Sequence, residues 1–319
     1  MGRPERMRLI PGLEASVNTC ACRLVAVMLM ITAATPVFAD AVAPVGILPT
    51  PIVIPPFVMP PDRNAVGEGL AADRVVVAAG AAVASDYEGS NHYSLTPIAG
   101  ATARLHGHAI VWNGNSFGID LVPEYRNQTF KLIVAPYVDL NLNRVGTPDD
   151  PIVALLPKAK LAVEGGGVIG FVRTGILTSK YDSLTVQVSA AHDLGTVHRS
   201  FVITPSIGYV APLSKAALVS AGASLDVAGA GYARTYFGVD GAGSAASGLP
   251  IYRPGGGIKS VDLGLGGAVS LRGDLRKGFA VGARLNYERL LGDFADSPLV
   301  AMRGSPNQFS ATLGLAYIF

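Results

Sequence analysis

The chain has 319 residues, half of them hydrophobic and 15% charged, with 25 basic against 23 acidic side chains and a net charge of +2. No stretch beyond residue 39 holds 18 uninterrupted apolar residues, which argues against a helical membrane protein, and 38 glycines argue against long helices. A near-neutral chain has no electrostatic footprint for nucleic acid, so no such partner is expected.

The first element is a targeting segment. Arg23 precedes an apolar run from Leu24 to Ala34, and Val37-Phe38-Ala39 supplies small residues where signal peptidase reads them. The run is too short to span a bilayer, so residues 1–39 are expected to be a secretory signal peptide cleaved after Ala39. Both cysteines, Cys20 and Cys22, fall within it. The chain that remains has neither a disulfide framework nor a zinc-thiolate site, and its charges balance at 21 basic and 21 acidic residues. Residues 40–72 follow, with Pro44, Pro49, Pro51, Pro55, Pro56, Pro60 and Pro61. Proline removes donors and favours extended chain, so this segment reads as a proline-rich periplasmic leader.

From Asp73 to Phe319 the pattern is alternation. Val75, Val77, Ala79, Ala81 and Val83 share one face; Leu132, Val134, Pro136, Val138 and Leu140 share another. The same dyad recurs over 183–189, 200–209, 219–227, 261–272 and 279–288. A period of two marks strands. The polar face holds Ser, Thr, Gly and Asn rather than Lys and Glu, which suits a barrel lumen better than a solvent-washed sheet. Three strands carry a Phe and a Tyr eight residues apart on the apolar face: Phe201/Tyr209, Phe279/Tyr287 and Phe309/Tyr317. Eight residues span roughly 26 Å, or roughly 20 Å of height at a tilt of about 40°, close to the gap between the aromatic girdles of an outer-membrane barrel. The fold expected is an antiparallel transmembrane β-barrel of about twelve strands, surrounded by outer-membrane lipid. Eleven strands are legible; the twelfth is expected between Lys158 and Tyr181, where Gly165-Gly166-Gly167 and Gly170 blur the alternation, or before Asp73.

The chain stops on an aromatic ring. Thr312-x-Gly314-x-x-Tyr317-x-Phe319 resembles the terminal signal that presents outer-membrane barrels to the barrel-assembly machinery, with Gly314, Tyr317 and Phe319 as its key positions. With Phe319 in the periplasm, loops 229–257 and 291–306 are extracellular and turns 211–215 and 273–275 periplasmic.

Three blocks closely resemble the MipA/OmpV outer-membrane family. They are Asp86-Tyr87-Glu88-Gly89-Ser90; Tyr236-Phe237-Gly238-Val239 with Ser247-Gly248-Leu249-Pro250-x-Tyr252; and Arg289-Leu290-Leu291-Gly292-Asp293-x-Ala295-Asp296-Ser297-Pro298-Leu299-Val300. The resemblance covers about residues 73–319. It implies an outer-membrane barrel acting as a non-enzymatic scaffold that joins a murein-degrading lytic transglycosylase to a penicillin-binding protein. Other members are discussed as surface proteins, adhesins or permeability factors, so a passive pore and an adhesin acting through loop 229–257 are the alternatives. The family supplies no contact residues, and scaffolding is an analogy.

Charged residues Glu288, Arg289, Asp293, Asp296 and Arg303 gather around loop 291–306, where Asp/Arg pairs and an Asp-Ser-Pro turn are expected to hold the loop. Asp139, Asp262, Arg284, Asn286 and Glu288 are expected in the lumen. No nucleophile, metal or cofactor motif is present, so no catalytic residue, metal or cofactor is expected. His106-x-His108 is a lone pair on one strand face without a third ligand, and Gly264-Leu265-Gly266-Gly267 lies inside an alternating strand with no helix to follow.

Overall fold

The computed structural model describes residues 70–126 and 128–319. The signal segment 1–39, the leader up to residue 69 and Asn127 lie outside the described residues.

Twelve antiparallel strands close into one barrel: β1 (Arg74–Ser85), β2 (Tyr93–Leu105), β3 (His108–Trp112), β4 (Ser116–Ile119), β5 (Phe130–Asn141), β6 (Ala162–Thr174), β7 (Ser183–Asp193), β8 (Phe201–Pro212), β9 (Ala217–Ala228), β10 (Gly257–Ser270), β11 (Gly278–Leu290) and β12 (Asn307–Ile318). Each strand pairs with its chain neighbour. β12 pairs with β1 from Val76↔Ile318 to Val83↔Ala311, which abolishes the sheet edge. The strand hidden by glycines is β6. A Cβ on Gly166 would come within 2.2 Å of the Ala190 carbonyl oxygen, and one on Gly170 within 2.5 Å of Val186 O and Gln187 Cβ. Close approach of β7 excludes side chains there, and that erases the alternation.

The dyad sorts as the sequence pattern predicts. On β12, Phe309, Leu313, Leu315 and Tyr317 are exposed on the outside, whereas Gln308, Ala316 and Ile318 are buried within. On β10, Val261, Leu263, Leu265 and Val269 face out, and Asp262 and Ser270 face in. The aromatic pairs form two belts. Phe279 meets Tyr317 edge to face at 4.7 Å, and Tyr317 meets Phe319 likewise at 4.7 Å, at one rim; Tyr287 meets Phe309 at 5.1 Å at the other. Rings of this kind prefer the boundary between hydrocarbon and water.

At the rim that carries Phe319, Val76, Val210, Leu218, Ala268, Leu275, Ala280, Ala316 and Ile318 form an apolar cluster inside the wall. Connections at this rim are short. The two between β8 and β9 and between β10 and β11 are tied together by Leu275 N–H donating to Lys215 O. At the opposite rim the connections after β5, β9 and β11 are long and folded. They carry α1 (Ala230–Phe237), α2 (Gly241–Ser247), α3 (Gly292–Ala295) and α4 (Pro298–Ala301), plus a 3₁₀ turn at Val153–Leu155.

Candidate functional site

The three sequence blocks, far apart in the chain, converge on one cap over the rim opposite Phe319. Tyr87 is fully buried and its hydroxyl donates to Leu299 O at 3.4 Å. Burial, reinforced by Asp86 and Asp150, raises its pKa. Gly89 takes φ +93°, and a Cβ there would sit 2.4 Å from Val300 Cγ2. Glycine is therefore required twice over, by backbone and by space. Ser90 bridges Gly304 and is likewise buried.

The last loop holds itself by the devices its residues suggest, though with other partners. Ser297 caps α4 by accepting from Leu299 N–H, its hydroxyl donates to Phe237 O at 2.6 Å, and Pro298 opens the helix. Asp293 accepts from Gly255 N–H at 2.6 Å, and its carbonyl accepts from the Tyr252 hydroxyl at 2.8 Å. Tyr252 and Val239 form a bridge just after Gly238. Gly238 leaves α1, where a Cβ would meet Arg234 O at 2.4 Å. Gly292, at φ +48°, opens α3. Arg303, expected to pair within its own loop, instead forks onto Asp150 at 2.7 Å, across from the connection between β5 and β6. Burial pushes the Asp150 carboxyl up, but Arg303 and the N–H groups of Val153 and Ile152 outweigh it and hold it below the usual carboxylate range. Asp296 is exposed. Arg289 lies on the outer face of the barrel, donating to Asn307 at 2.6 Å, and not in the lumen mouth.

Beneath these contacts lies a core of Tyr232, Tyr236, Phe237, Leu290, Phe294 and Val300. Tyr232 and Tyr236 meet at 4.7 Å, and His198 packs on Tyr232 at 5.4 Å. A second cluster of Tyr87, Val153, Leu156, Val239, Leu249 and Leu299 joins all the long loops. Loop 229–257 is thus a folded lid.

Where the lid meets the lumen, one ammonium faces several carboxylates. Lys259 Nζ, 1% exposed, lies 2.7 Å from Glu88 Oε1, 3.0 Å from Asp226 and 3.5 Å from Glu288. Glu88 Oε2 accepts from the Tyr232 hydroxyl at 2.7 Å and from Asn143 at 2.8 Å. Thr204 donates to Asp226 at 2.6 Å and Ser260 to Asp262 at 3.0 Å. The carboxylates of Asp226, Asp262 and Glu288 lie within 4.8 Å of one another, a spacing that a cation could bridge, but the Lys259 ammonium already supplies the positive charge there. Asp262 and Glu288 were expected in the lumen. Lys259 was not, because its parity with Val261 assigns it to lipid. A register shift between Ile258 and Ser260 turns it inward. Asp139 faces Glu164 across the β5–β6 pair, and Arg284 donates to Asn286 at 2.7 Å, both on the lumen side. The two histidines do not share a strand face: His106 forms the turn after β2, at φ +51°, and His108 begins β3.

The sequence matches the family model described as MltA-interacting protein MipA over residues 77–319. No curated protein matches it. Among solved structures the chain is similar to outer-membrane expressed OmpT of Vibrio cholerae, at 9% identity, 78% of this chain and 97% of that one, TM-score 0.35. It is also similar to the outer membrane channel DcaP of Acinetobacter baumannii, at 7% identity, 82% and 100% coverage and TM-score 0.34.

Proposed function

The chain belongs to the MipA family and is an outer-membrane β-barrel; from that premise we propose that it is a non-enzymatic scaffold, holding a murein-degrading lytic transglycosylase and a penicillin-binding protein against the inner face of the outer membrane. In this reading residues 73–319 are the membrane body, residues 1–39 are removed, and the leader 40–72 and the short turns face the periplasm. Gly314, Tyr317 and Phe319 serve barrel assembly.

The observation that carries the proposal is the lid. With Phe319 in the periplasm, the outward mouth is occupied by a packed core and a buried ion network, which favours a static body over an open conduit. The family's description, MltA-interacting protein, supports a murein enzyme as partner. On the periplasmic side the two turns tied by Leu275 and Lys215 present Lys215, Arg272 and Lys277, all exposed, as a fixed basic patch.

Crosslinking followed by capture of the detergent-solubilised protein tests this reading. The expected result is recovery of a transglycosylase or a penicillin-binding protein, reduced by the charge reversals Lys215→Glu, Arg272→Glu and Lys277→Glu. Recovery of neither enzyme overturns it. In planar bilayers the intact protein is expected to be silent, and discrete conductance steps would support the pore instead.

A further inference from the structure

On the outward side of the lid lies a cavity of about 530 Å³, within the usual size range for a small-ligand site. Arg144, Arg234 and Arg253 line it together with a single carboxylate, Asp240. The Val239–Tyr252 bridge brings α1 and the segment bearing Arg253 to the same opening, and the connection between β5 and β6 delivers Arg144 from beneath. Arg234 and Arg253 are exposed, and among the described residues neither forms an ion pair.

Arg144 is the unusual member. It is 5% exposed and sits at φ +57°. Two of its five donors reach carbonyls, those of Tyr236 and Pro157, each at 3.1 Å. Among the described residues its Nε–H has no acceptor, and no carboxylate stands within ion-pair distance. Burying a guanidinium without a counter-charge is costly, and burial lowers its pKa to about 10. Asp240 forms no ion pair with it and instead caps α2, accepting from Gly243 N–H at 2.7 Å.

We propose that this cavity binds a phosphate monoester carried on a polar body such as a sugar. Three guanidinium groups against one carboxylate leave two positive charges, matching the roughly −1.5 to −2 that a phosphate monoester carries near pH 7, whereas a monocarboxylate would leave one uncancelled. Guanidinium forks suit phosphate oxygens. Leu156, Val239 and the Tyr252 ring supply an apolar wall for the attached body. The site faces outward in the orientation taken above, so its ligand comes either from the medium or from a phosphorylated sugar borne on an outer-leaflet lipid. It does not depend on the periplasmic partners.

The test is calorimetric titration of the whole barrel, in phosphate-free detergent, with glucose 6-phosphate and with glucose. In a second arm the probe is vesicles carrying lipopolysaccharide, intact or dephosphorylated. Saturable binding of glucose 6-phosphate but not glucose is expected, weakened at least tenfold by Arg234→Gln with Arg253→Gln, an exposed pair whose loss leaves the lid core intact. Arg144→Lys, which keeps the charge and removes the fork, is also expected to weaken it. Binding only to intact lipopolysaccharide, lost with the same arginines, supports the proposal and assigns the lipid as source. Binding of neither phosphorylated probe, equal binding of their phosphate-free counterparts, or indifference to the arginine pair overturns it.

Discussion

Lys259 and Glu88 stand 171 residues apart in the chain, yet the ammonium of one lies 2.7 Å from the carboxylate of the other. That contact joins strand β10 to the connection between β1 and β2, and through Tyr232 and Asn143 it reaches α1 and the connection between β5 and β6. Removing one partner of a buried pair leaves an uncompensated charge. Lys259→Met is therefore expected to cost about 3–5 kcal/mol, because it strands Glu88, Asp226 and Glu288 together. Glu88→Gln, which leaves Lys259 two other carboxylates, should cost less. The temperature at which the folded barrel loses its fast gel migration reads both; an unshifted transition for Lys259→Met would show the network to be dispensable.

Gly89→Ala meets two obstacles, the left-handed backbone and Val300 Cγ2 at 2.4 Å. A strained backbone position of this kind costs about 1–3 kcal/mol. Cleavage of loop 291–306 by protease added to intact cells is expected to rise. Adding Val300→Ala should relieve the steric part and leave the backbone part, so partial rescue is the signature; complete rescue would mean that φ contributes nothing.

How much of this was legible follows from periodicity. The barrel, its outward apolar face and both aromatic belts were readable, because every strand of ten or more residues except β6 has room to repeat the same dyad. β3 and β4, of five and four residues, offer only two or three positions per face and carry the weakest mark of it. β6 lost its signal to glycines demanded by β7. Lys259 was not legible as a lumen residue, because a single bulge inverts parity and leaves no mark in the composition. The motif residues Tyr87, Gly89, Ser90, Ser297 and Pro298 were visible as blocks, but their meeting was not: nothing in one sequence pairs residue 87 with residue 299. Arg144, at the floor of the cavity, belongs to no motif and is detectable only by its burial.

The connection between β10 and β11 predicts an acid response. Asp274 is forked by Arg276, at 2.9 and 2.7 Å, which holds its carboxyl down to about 2. The ordinary value is about 3.9. A depressed pKa means that the stabilising contribution is complete above about pH 4 and fades as pH falls through 2. Pepsin should leave turn 271–277 intact at pH 4 and cut it increasingly toward pH 2. Asp274→Asn should be cut alike at both; a mutant protected at pH 4 like the parent would remove the ion pair from the account.

The connection between β6 and β7 obeys the same sign but withstands stronger acid. Asp182 is buried and accepts from the N–H groups of Ile176 at 2.7 Å, Leu177 at 2.9 Å, Thr178 at 2.5 Å and Ser179 at 3.2 Å, and from the Tyr209 hydroxyl at 2.7 Å. Burial alone would raise its pKa, but the ring of donors wins and holds it far below the usual range. Its contribution is therefore present above the unfolded value near 4 and persists well below it, so this turn should stay closed at the acidity that loosens 271–277. Asp182→Asn replaces one acceptor by a donor among donors. With hydrogen bonds to charged groups worth about 1.5–3 kcal/mol, the loss should exceed that of Tyr209→Phe, which removes one bond to the carboxylate and one to the Thr178 hydroxyl. Hydrogen exchange at amides 176–179 distinguishes them: rapid exchange in Asp182→Asn and near-parental protection in Tyr209→Phe. Equal protection in both would mean that the tyrosine, not the carboxylate, organises the turn.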